Sequence, residues 1–123
     1  SSRKDRLSVQ SISAVTLDVA NMAISVDFYR EKFGLEMLYG GTSASFTSFR
    51  VGKGYLNLTL NPERTAALWG RLIFHVDDVD ALHERLVQSG LTPSTKPADA
   101  PWGERYFHIE DPDAHELSFA RPI

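Results

Sequence analysis

Cysteine is missing from all 123 residues of the sequence. Its absence excludes disulfides, thiol nucleophiles and cysteine-ligated metal or iron–sulfur sites, so any metal would need His, Asp or Glu ligands. Long hydrophobic runs are missing too: none approaches the length that spans a membrane, and the first ten residues contain no apolar signal core. We therefore expect a cytoplasmic protein with no membrane partner.

The sequence also lacks an excess of charge of one sign. Thirteen Lys and Arg residues stand against sixteen Asp and Glu residues, a net charge of −3, and both signs are spread along the chain. A clustered basic patch is the usual footprint of nucleic-acid binding, so no nucleic-acid partner is expected.

The length is sufficient to bury a core without disulfides or structural metals, and we expect residues 1–123 to form one domain.

Two alternating runs within residues 105–121 are joined by the sequence DPDA at 111–114. A proline corner flanked by aspartates that can bond nearby backbone N–H groups is typical of a tight turn, so a β-hairpin is predicted. Strand alternation puts on one apolar face Phe107, Ile109, Leu117 and Phe119. The opposite, chemically mixed face carries the cross-strand pairs Glu110 with Glu116, His108 with Ser118 and Tyr106 with Ala120. This mixed face is either a binding surface or a solvated outer face.

The first half of the chain follows a strand, helix and three-strand pattern. Residues 12–19 alternate as a strand, and Asn21 is a helix N-cap candidate. Apolar positions then recur at helical spacing until Gly34, a typical helix end. Strands are predicted at 35–39, 45–51 and 55–60, and residues 61–68 form a connector.

The second half repeats this pattern. A strand at 71–76 precedes a helix that begins at Asp78 and ends at Gly90, and the segment 91–95, a Pro-rich loop at 96–102 and the hairpin complete it. Leu17-Asp18-Val19 aligns with Phe74-His75-Val76 at a shift of 57 residues. We predict an α+β fold of two βαβββ modules, residues 11–61 and 70–121, with their mixed faces enclosing a cleft.

Several motifs in this order carry a family resemblance: SVDFYR at 25–30, FGL at 33–35, FHVDDVDAL at 74–82 and DAPWGERYFHIEDPDAHELSFARP at 99–122. Nearly the whole chain resembles the vicinal oxygen chelate superfamily. That superfamily includes glyoxalase I, extradiol dioxygenases, fosfomycin-inactivating transferases and bleomycin-resistance binding proteins. The resemblance implies paired modules in a partial barrel, usually in a homodimer with exchanged or shared sheets around two clefts.

The resemblance also implies where a catalytic metal would be held, and here the chain departs from the family. The positions that match the three usual ligands are Ala14, Arg71 and Ser118. A further glutamate of the family corresponds to Asn57 or Thr59. Divalent catalytic metals need converging imidazoles or carboxylates, which these side chains do not supply, so no cofactor is expected. A relocated metal site remains an alternative, formed by His75, His108, Glu116 and Asp18.

What remains resembles a binding pocket. Arg71 can pair with a carboxylate or phosphate or stack on an aromatic ligand, or it forms an ion pair with Asp18 or Glu116. Trp102 lies in a loop that reaches over the cleft in this superfamily, where it either stacks on a planar ligand or packs. The candidate ligand-binding residues are Arg71, His75, Trp102, Tyr106, His108, Asp18, Asn57, Thr59 and Ser118.

Three functions are compatible with these residues. We expect a metal-independent small-molecule binding protein of the bleomycin-resistance type, which holds an antibiotic or a metabolite and acts as a homodimer. The alternative is a glyoxalase-like lyase or isomerase with a displaced metal or none, in which His108 or Glu116 is the general acid–base catalyst. An accessory dimer with a vestigial cleft is the third interpretation.

Overall fold

A computed structural model of the chain describes residues 10–66 and 69–123. Predictions for residues 1–9 and for residues 67 and 68 of the connector lie outside the described residues. Within the described part, the strands form two four-stranded sheets, one from each half of the sequence. The predicted fold of two modules is confirmed.

The first module contains one sheet and one helix. Its elements are β1 (Ala14–Val19), α1 (Met22–Val26), a π-helix that continues α1 (Asp27–Lys32), β2 (Glu36–Tyr39), β3 (Phe46–Val51) and β4 (Gly54–Leu60). The strand order is β1-β4-β3-β2, with β1 parallel to β4 and the other pairs antiparallel. Alternation along β1 buries Leu17 and Val19 and leaves Thr16 and Asp18 exposed, as the sequence pattern predicts.

The helix of the first module begins as predicted but changes type. The Asn21 side chain accepts a hydrogen bond from the Ile24 N–H and caps α1. Residues 27–32 then form a π-helix, in which the Phe33 N–H donates to the Phe28 carbonyl at 3.1 Å. The wider π turn lets the adjacent rings of Phe28 and Tyr29 both enter the core. The helix therefore ends where Gly34 predicts, but beyond α1 it is a π-helix and not the α-helix that the apolar spacing indicates.

The second module repeats the topology of the first. Its elements are β5 (Arg71–His75), α2 (Val79–Gln88), β6 (Ala98–Asp99), β7 (Glu104–Glu110) and β8 (Glu116–Pro122). The strand order is β5-β8-β7-β6, and β5 is parallel to β8. The Asp78 side chain accepts from the Ala81 N–H at 3.0 Å and caps α2, as predicted.

Residues 91–95, expected to follow the helix as the next strand of a βαβββ module, do not form one; the short strand of this module is β6, within the predicted loop at 96–102. Pro93 and Pro97 have no N–H to donate to a ladder, which confines regular pairing to the residues after them. The segment still runs beside β7: the Ser94 N–H donates to the His108 carbonyl at 2.8 Å, and the His108 N–H donates to Thr95 Oγ1 at 3.0 Å.

The hairpin has the predicted register. Its cross-strand pairs are Glu110 with Glu116, His108 with Ser118 and Tyr106 with Ala120. The predicted apolar face is buried, with exposed fractions of 0–4 % at Phe107, Ile109, Leu117 and Phe119. The turn at 111–114 and the two-residue alternation together fix this register.

Both modules share a single core. Phe33 of the first module packs edge-on against Phe119 of the second, with ring centroids 5.0 Å apart. The buried Tyr29 hydroxyl donates to Asp111 Oδ2 at 2.6 Å. Asp111 Oδ1 also accepts from the backbone N–H groups of Asp113 and His115, both at 2.9 Å. The Asp111 carboxylate therefore connects the hairpin turn to the first module.

The same turn makes further polar contacts with the first half of the chain. Asp113 Oδ1 accepts from the Ala20 N–H at 3.0 Å, next to the start of α1. His115 Nδ1 accepts from Trp69 Nε1 at 2.8 Å, which leaves Nε2 to donate to the Asp18 carbonyl at 2.7 Å. These contacts hold the hairpin turn against the end of β1.

The buried Tyr29 hydroxyl predicts a loss of stability in alkali. Burial, the Asp111 charge and its hydrogen bond raise the pKa of Tyr29 well above the usual 10.0. The folded protein therefore keeps this proton at a pH where the unfolded chain releases it, so the free energy of unfolding falls as the pH rises above about 10. Urea denaturation between pH 8 and 11 should show a shallower decline for Tyr29→Phe than for the wild type. Equal slopes would contradict the assignment.

Candidate functional site

Two sheet faces carry the candidate site residues. The first mixed face belongs to β1 and β4 and carries Ala14, Thr16, Asp18, Tyr55, Asn57 and Thr59. The second mixed face belongs to β5, β7 and β8 and carries Arg71, Ile73, His75, Tyr106, His108, Glu116 and Ser118. Trp102 lies in the turn before β7. The predicted site residues are thus divided between two sheets, with the larger group on the second.

Three rings form a row along the second mixed face. Trp102 stacks on Tyr106, with ring centroids 5.7 Å apart and an interplanar angle of 30°. Tyr106 contacts His108 in turn, with centroids 5.0 Å apart. We call Trp102, Tyr106 and His108 the aromatic row. Trp102 is 67 % exposed, so the row presents one large flat ring to solvent.

His108 is the inner end of the aromatic row. Its Nδ1 lies 2.5 Å from the hydroxyl of the buried Ser118. Burial, followed by the nearby Arg71 guanidinium, lowers the pKa of His108, and the Glu116 carboxylate partly opposes them. The lowered pKa favours the neutral imidazole at pH 7. Its other nitrogen, Nε2, can then donate or accept one hydrogen bond, depending on the tautomer.

Arg71 lies beside His108 and pairs with an acidic neighbour. Its Nη2 donates to Glu116 Oε1 at 3.0 Å across the parallel β5–β8 pair. Of the two ion pairs that the sequence left open for Arg71, the one with Glu116 is present, whereas Asp18 Oδ2 accepts from Asn61 Nδ2 at 3.3 Å. A guanidinium has five N–H donors, so one such bond leaves capacity for an anionic ligand.

Glu104 is a member of this face that the sequence analysis missed. Its carboxylate accepts from Trp102 Nε1 at 2.9 Å and lies 3.2 Å from His75 Nε2. Glu104 therefore orients the outer ring of the aromatic row and joins it to β5. The signal was available, because strand alternation places residue 104 on the same side of β7 as Tyr106 and His108.

The first mixed face carries mostly polar side chains. Asn57 Nδ2 donates to Thr16 Oγ1 at 3.3 Å, and Thr59 is paired with Asp18 in the strand register. Where the two faces approach each other, Ala14 and Ile73 line a shallow groove of about 290 Å³. The aromatic row and Arg71 do not line that groove; they lie on the open part of the second mixed face.

The family comparison agrees with this architecture. The family model described as Glyoxalase/Bleomycin resistance protein/Dioxygenase superfamily matches residues 11–119. The chain belongs to this superfamily. Among curated proteins, none matches the chain in sequence.

Solved structures of this superfamily share the fold. A lactoylglutathione lyase from Agrobacterium tumefaciens is 22 % identical, with a TM-score of 0.76, over 92 % of this chain and 94 % of that one. TioX from Micromonospora sp. ML1 is 23 % identical, with a TM-score of 0.74, over 93 % and 100 %. A glyoxalase/bleomycin resistance protein/dioxygenase from Nocardioides is 21 % identical, with a TM-score of 0.72, over 98 % and 89 %. At these identities the likeness extends to the fold alone.

The positions that would hold a metal in this superfamily do not fit one here. Arg71 and Ser118 lie on the second mixed face and Ala14 on the first, and none of the three offers an imidazole or a carboxylate. The four residues of the alternative site have separate partners, namely His75 with Glu104, His108 with Ser118, Glu116 with Arg71 and Asp18 with Asn61. Across residues 10–66 and 69–123, no three His, Asp or Glu side chains converge in a metal-binding geometry.

A membrane-crossing helix is absent as well: neither helix in the described part of the chain is both long and apolar enough to span a bilayer.

Proposed function

We propose that this member of the superfamily binds a planar, anionic small molecule on the second mixed face and does not change it chemically. The ligand is an antibiotic or a metabolite, and its binding needs no metal. The aromatic row is the observation that carries this proposal. Its three rings lie in succession on one exposed sheet face, with Arg71 beside the inner end.

The aromatic row suits a flat ligand for energetic reasons. The bond to Glu104 and the stacking on Tyr106 orient the Trp102 ring, which lowers the conformational entropy lost when a ligand ring stacks on it. Aromatic stacking contributes about 0.5–1.5 kcal/mol beyond the burial of area. Ile73, on the same sheet face, is 61 % exposed and adds apolar surface that a ligand can cover.

Arg71 and His108 supply the polar part of the site. The Arg71 guanidinium can hold a carboxylate or phosphate through donors that Glu116 does not use. Neutral His108, beside it, offers one further hydrogen bond. A ligand with an aromatic system and one acidic group would match both the aromatic row and its charged end.

We also propose that the protein works as a homodimer, in which a second copy covers the open second mixed face. The side of the first sheet that carries the first mixed face exposes large apolar rings: Tyr39 is 59 % exposed and stacks on Phe46 at 6.2 Å. Such a surface on a partner would exclude water from a stacked ligand. Sedimentation velocity should show a dimer at micromolar concentration, and a purely monomeric protein would contradict this part.

A thermal-shift screen of planar aromatic acids, together with glycopeptide antibiotics, tests the proposal. A compound at a concentration of 100 times its dissociation constant should stabilise the fold by about 2.7 kcal/mol. Trp102→Ala should weaken the binding of such a compound about tenfold, because one stacking partner is lost. Trp69→Phe replaces the tryptophan outside the aromatic row, keeps a ring beside His115 and serves as the matched control, with unchanged affinity. Equal losses in both variants would contradict the assignment.

A second candidate function rests on the His108 geometry. A neutral imidazole held by Ser118 can act as a general base, as a glyoxalase-like lyase or isomerase without metal would require. Incubation with lactoylglutathione, for which the Agrobacterium neighbour is named, separates the two functions. Turnover that disappears in His108→Gln would favour the enzyme, whereas binding without turnover favours the sequestering protein.

A further inference from the structure

A second groove lies between the two modules, away from the aromatic row. It has a volume of about 380 Å³, and its floor is formed by Phe33, Phe74 and Phe119. One wall is the face of α2 that carries Ala81 and Leu82. We propose that this groove binds a small carboxylic acid with an apolar tail. Of the described residues on the second mixed face, His75 alone also lines this groove. The inference does not depend on the function proposed above.

The groove collects apolar surface that the core leaves uncovered. Ten apolar side chains are half-buried against the core, and six of them line this groove: Phe33, Leu35, Val51, Phe74, Val76 and Leu82. They come from both modules, so the groove is a gap between the two modules in which apolar side chains stay partly exposed. Removing apolar surface from water lowers the free energy, so the groove favours an occupant whose own surface is apolar.

The charges at the groove select the head group of that occupant. Asp78, Ala81, Leu82 and Arg85 all line the groove from one face of α2, and Asp78 and Arg85 are about 10 Å apart along the helix. Two carboxylates also line the groove, those of Asp77 and Asp78, at the end opposite Arg85. The Asp78 carboxylate is engaged as the N-cap of α2. Within residues 10–66 and 69–123, no side chain forms a hydrogen bond or an ion pair with Arg85.

The Arg85 guanidinium also has a defined place at the mouth of the groove. Its Nη2 would be 3.3 Å from a Cβ built on Gly34, so the charge lies over the end of the first helix. A side chain there would crowd the guanidinium, and the φ of +75° at Gly34 disfavours one in any case. A ligand whose carboxylate pairs with Arg85 can lay its apolar tail over the three phenylalanine rings towards Asp78. An extended eight-carbon chain spans the distance of about 10 Å between these two residues.

Three probes with the same tail and different heads test this assignment by isothermal titration calorimetry. Octanoate should bind with a dissociation constant of about 1 mM or below. Octanamide should bind at least about fivefold more weakly, because it lacks the charge that pairs with Arg85. Octylamine should bind more weakly still. If octylamine bound more tightly than octanoate, the carboxylates of Asp77 and Asp78 would determine the head group instead of Arg85, which would overturn the proposal.

Two variants and one control locate the site. Arg85→Gln should weaken octanoate about fivefold and leave octanamide unchanged. Ala81→Phe fills the groove from an exposed position on α2 and should remove the binding of both probes. Arg30→Gln removes an exposed arginine elsewhere and should change neither affinity. Absence of octanoate binding to the wild type, or binding that survives Ala81→Phe, would overturn the proposal.

Sedimentation velocity completes the test, because a second copy of the chain is the rival occupant. If the groove is a dimer contact, Ala81→Phe should shift the protein towards monomer, and octanoate should do the same. That result would overturn a ligand site. An unchanged oligomeric state, together with the loss of octanoate binding in Ala81→Phe, would support it.

Discussion

Asp111→Ala is expected to lower the free energy of unfolding by about 3 kcal/mol and the melting temperature by about 10 °C. The carboxylate accepts hydrogen bonds from the Tyr29 hydroxyl and from the backbone N–H groups of Asp113 and His115. Without it, a fully buried hydroxyl and two N–H groups lose their acceptor, and each such loss costs about 1–3 kcal/mol. Urea denaturation followed by circular dichroism measures the change.

Part of the stability lost in Asp111→Ala is offset, so the expected change lies at the lower end of the summed costs of the three lost hydrogen bonds. Burial raises the pKa of Asp111, and the hydrogen bonds from Tyr29 and the backbone only partly oppose it, so the substitution also removes a poorly solvated charge. Asp111→Asn retains an acceptor oxygen and should lose less. Asp27→Ala, at an exposed position in the π-helix, is the matched control and should stay within about 0.5 kcal/mol of the wild type. A loss below about 1 kcal/mol for Asp111→Ala would contradict the role of this carboxylate in joining the modules.

Arg71→Ala is expected to weaken the binding of a planar aromatic acid by about 10- to 100-fold. A hydrogen bond between charged groups contributes about 1.5–3 kcal/mol, and the substitution also leaves the Glu116 carboxylate unpaired next to the ligand's negative charge. Titration calorimetry with 2-naphthoate measures the loss. The neutral analogue 2-naphthamide should lose much less, since it does not depend on the guanidinium charge.

The same variant has a second readout that mere unfolding would not produce. Because the Arg71 charge helps to lower the pKa of His108, its removal should raise that pKa in an NMR titration. Arg30→Ala removes an exposed arginine of the π-helix, away from both mixed faces, and serves as the control. It should leave both the pKa of His108 and the affinity for 2-naphthoate unchanged. Equal effects of the two substitutions would contradict a specific role for Arg71.

Local sequence patterns were sufficient for much of the fold. The hairpin register was predicted because alternation and the DPDA turn both constrain it, and the two helix starts were predicted from the capping residues Asn21 and Asp78. The π-helix was not predicted, because Tyr29 and Phe33 are four residues apart, and this spacing is also that of an apolar stripe on an α-helix. The position of β6 was not predicted either, because two prolines, Pro93 and Pro97, lie before it and its two residues, Ala98 and Asp99, carry no strand pattern.

The candidate site was predictable only where one strand carries it. Tyr106 and His108 share a face by alternation, and the same rule would have added Glu104. The junction of the modules had no local signal: His115 contacts the Asp18 carbonyl 97 positions away, and Trp69 reaches His115 from the connector. Such contacts depend on how two sheets pack, which neither periodicity nor capping residues specify.

The measurement that tests the central claim most directly is an NMR titration of the two indole N–H signals with 2-naphthoate, after treatment of the protein with a chelator. A metal-independent site on the aromatic row predicts a saturable shift of the Trp102 signal, an unmoved Trp69 signal, and the same affinity when Zn²⁺ or Mn²⁺ is added back. A Trp102 signal that stays still throughout, or that moves only once a divalent ion is present, would contradict the account.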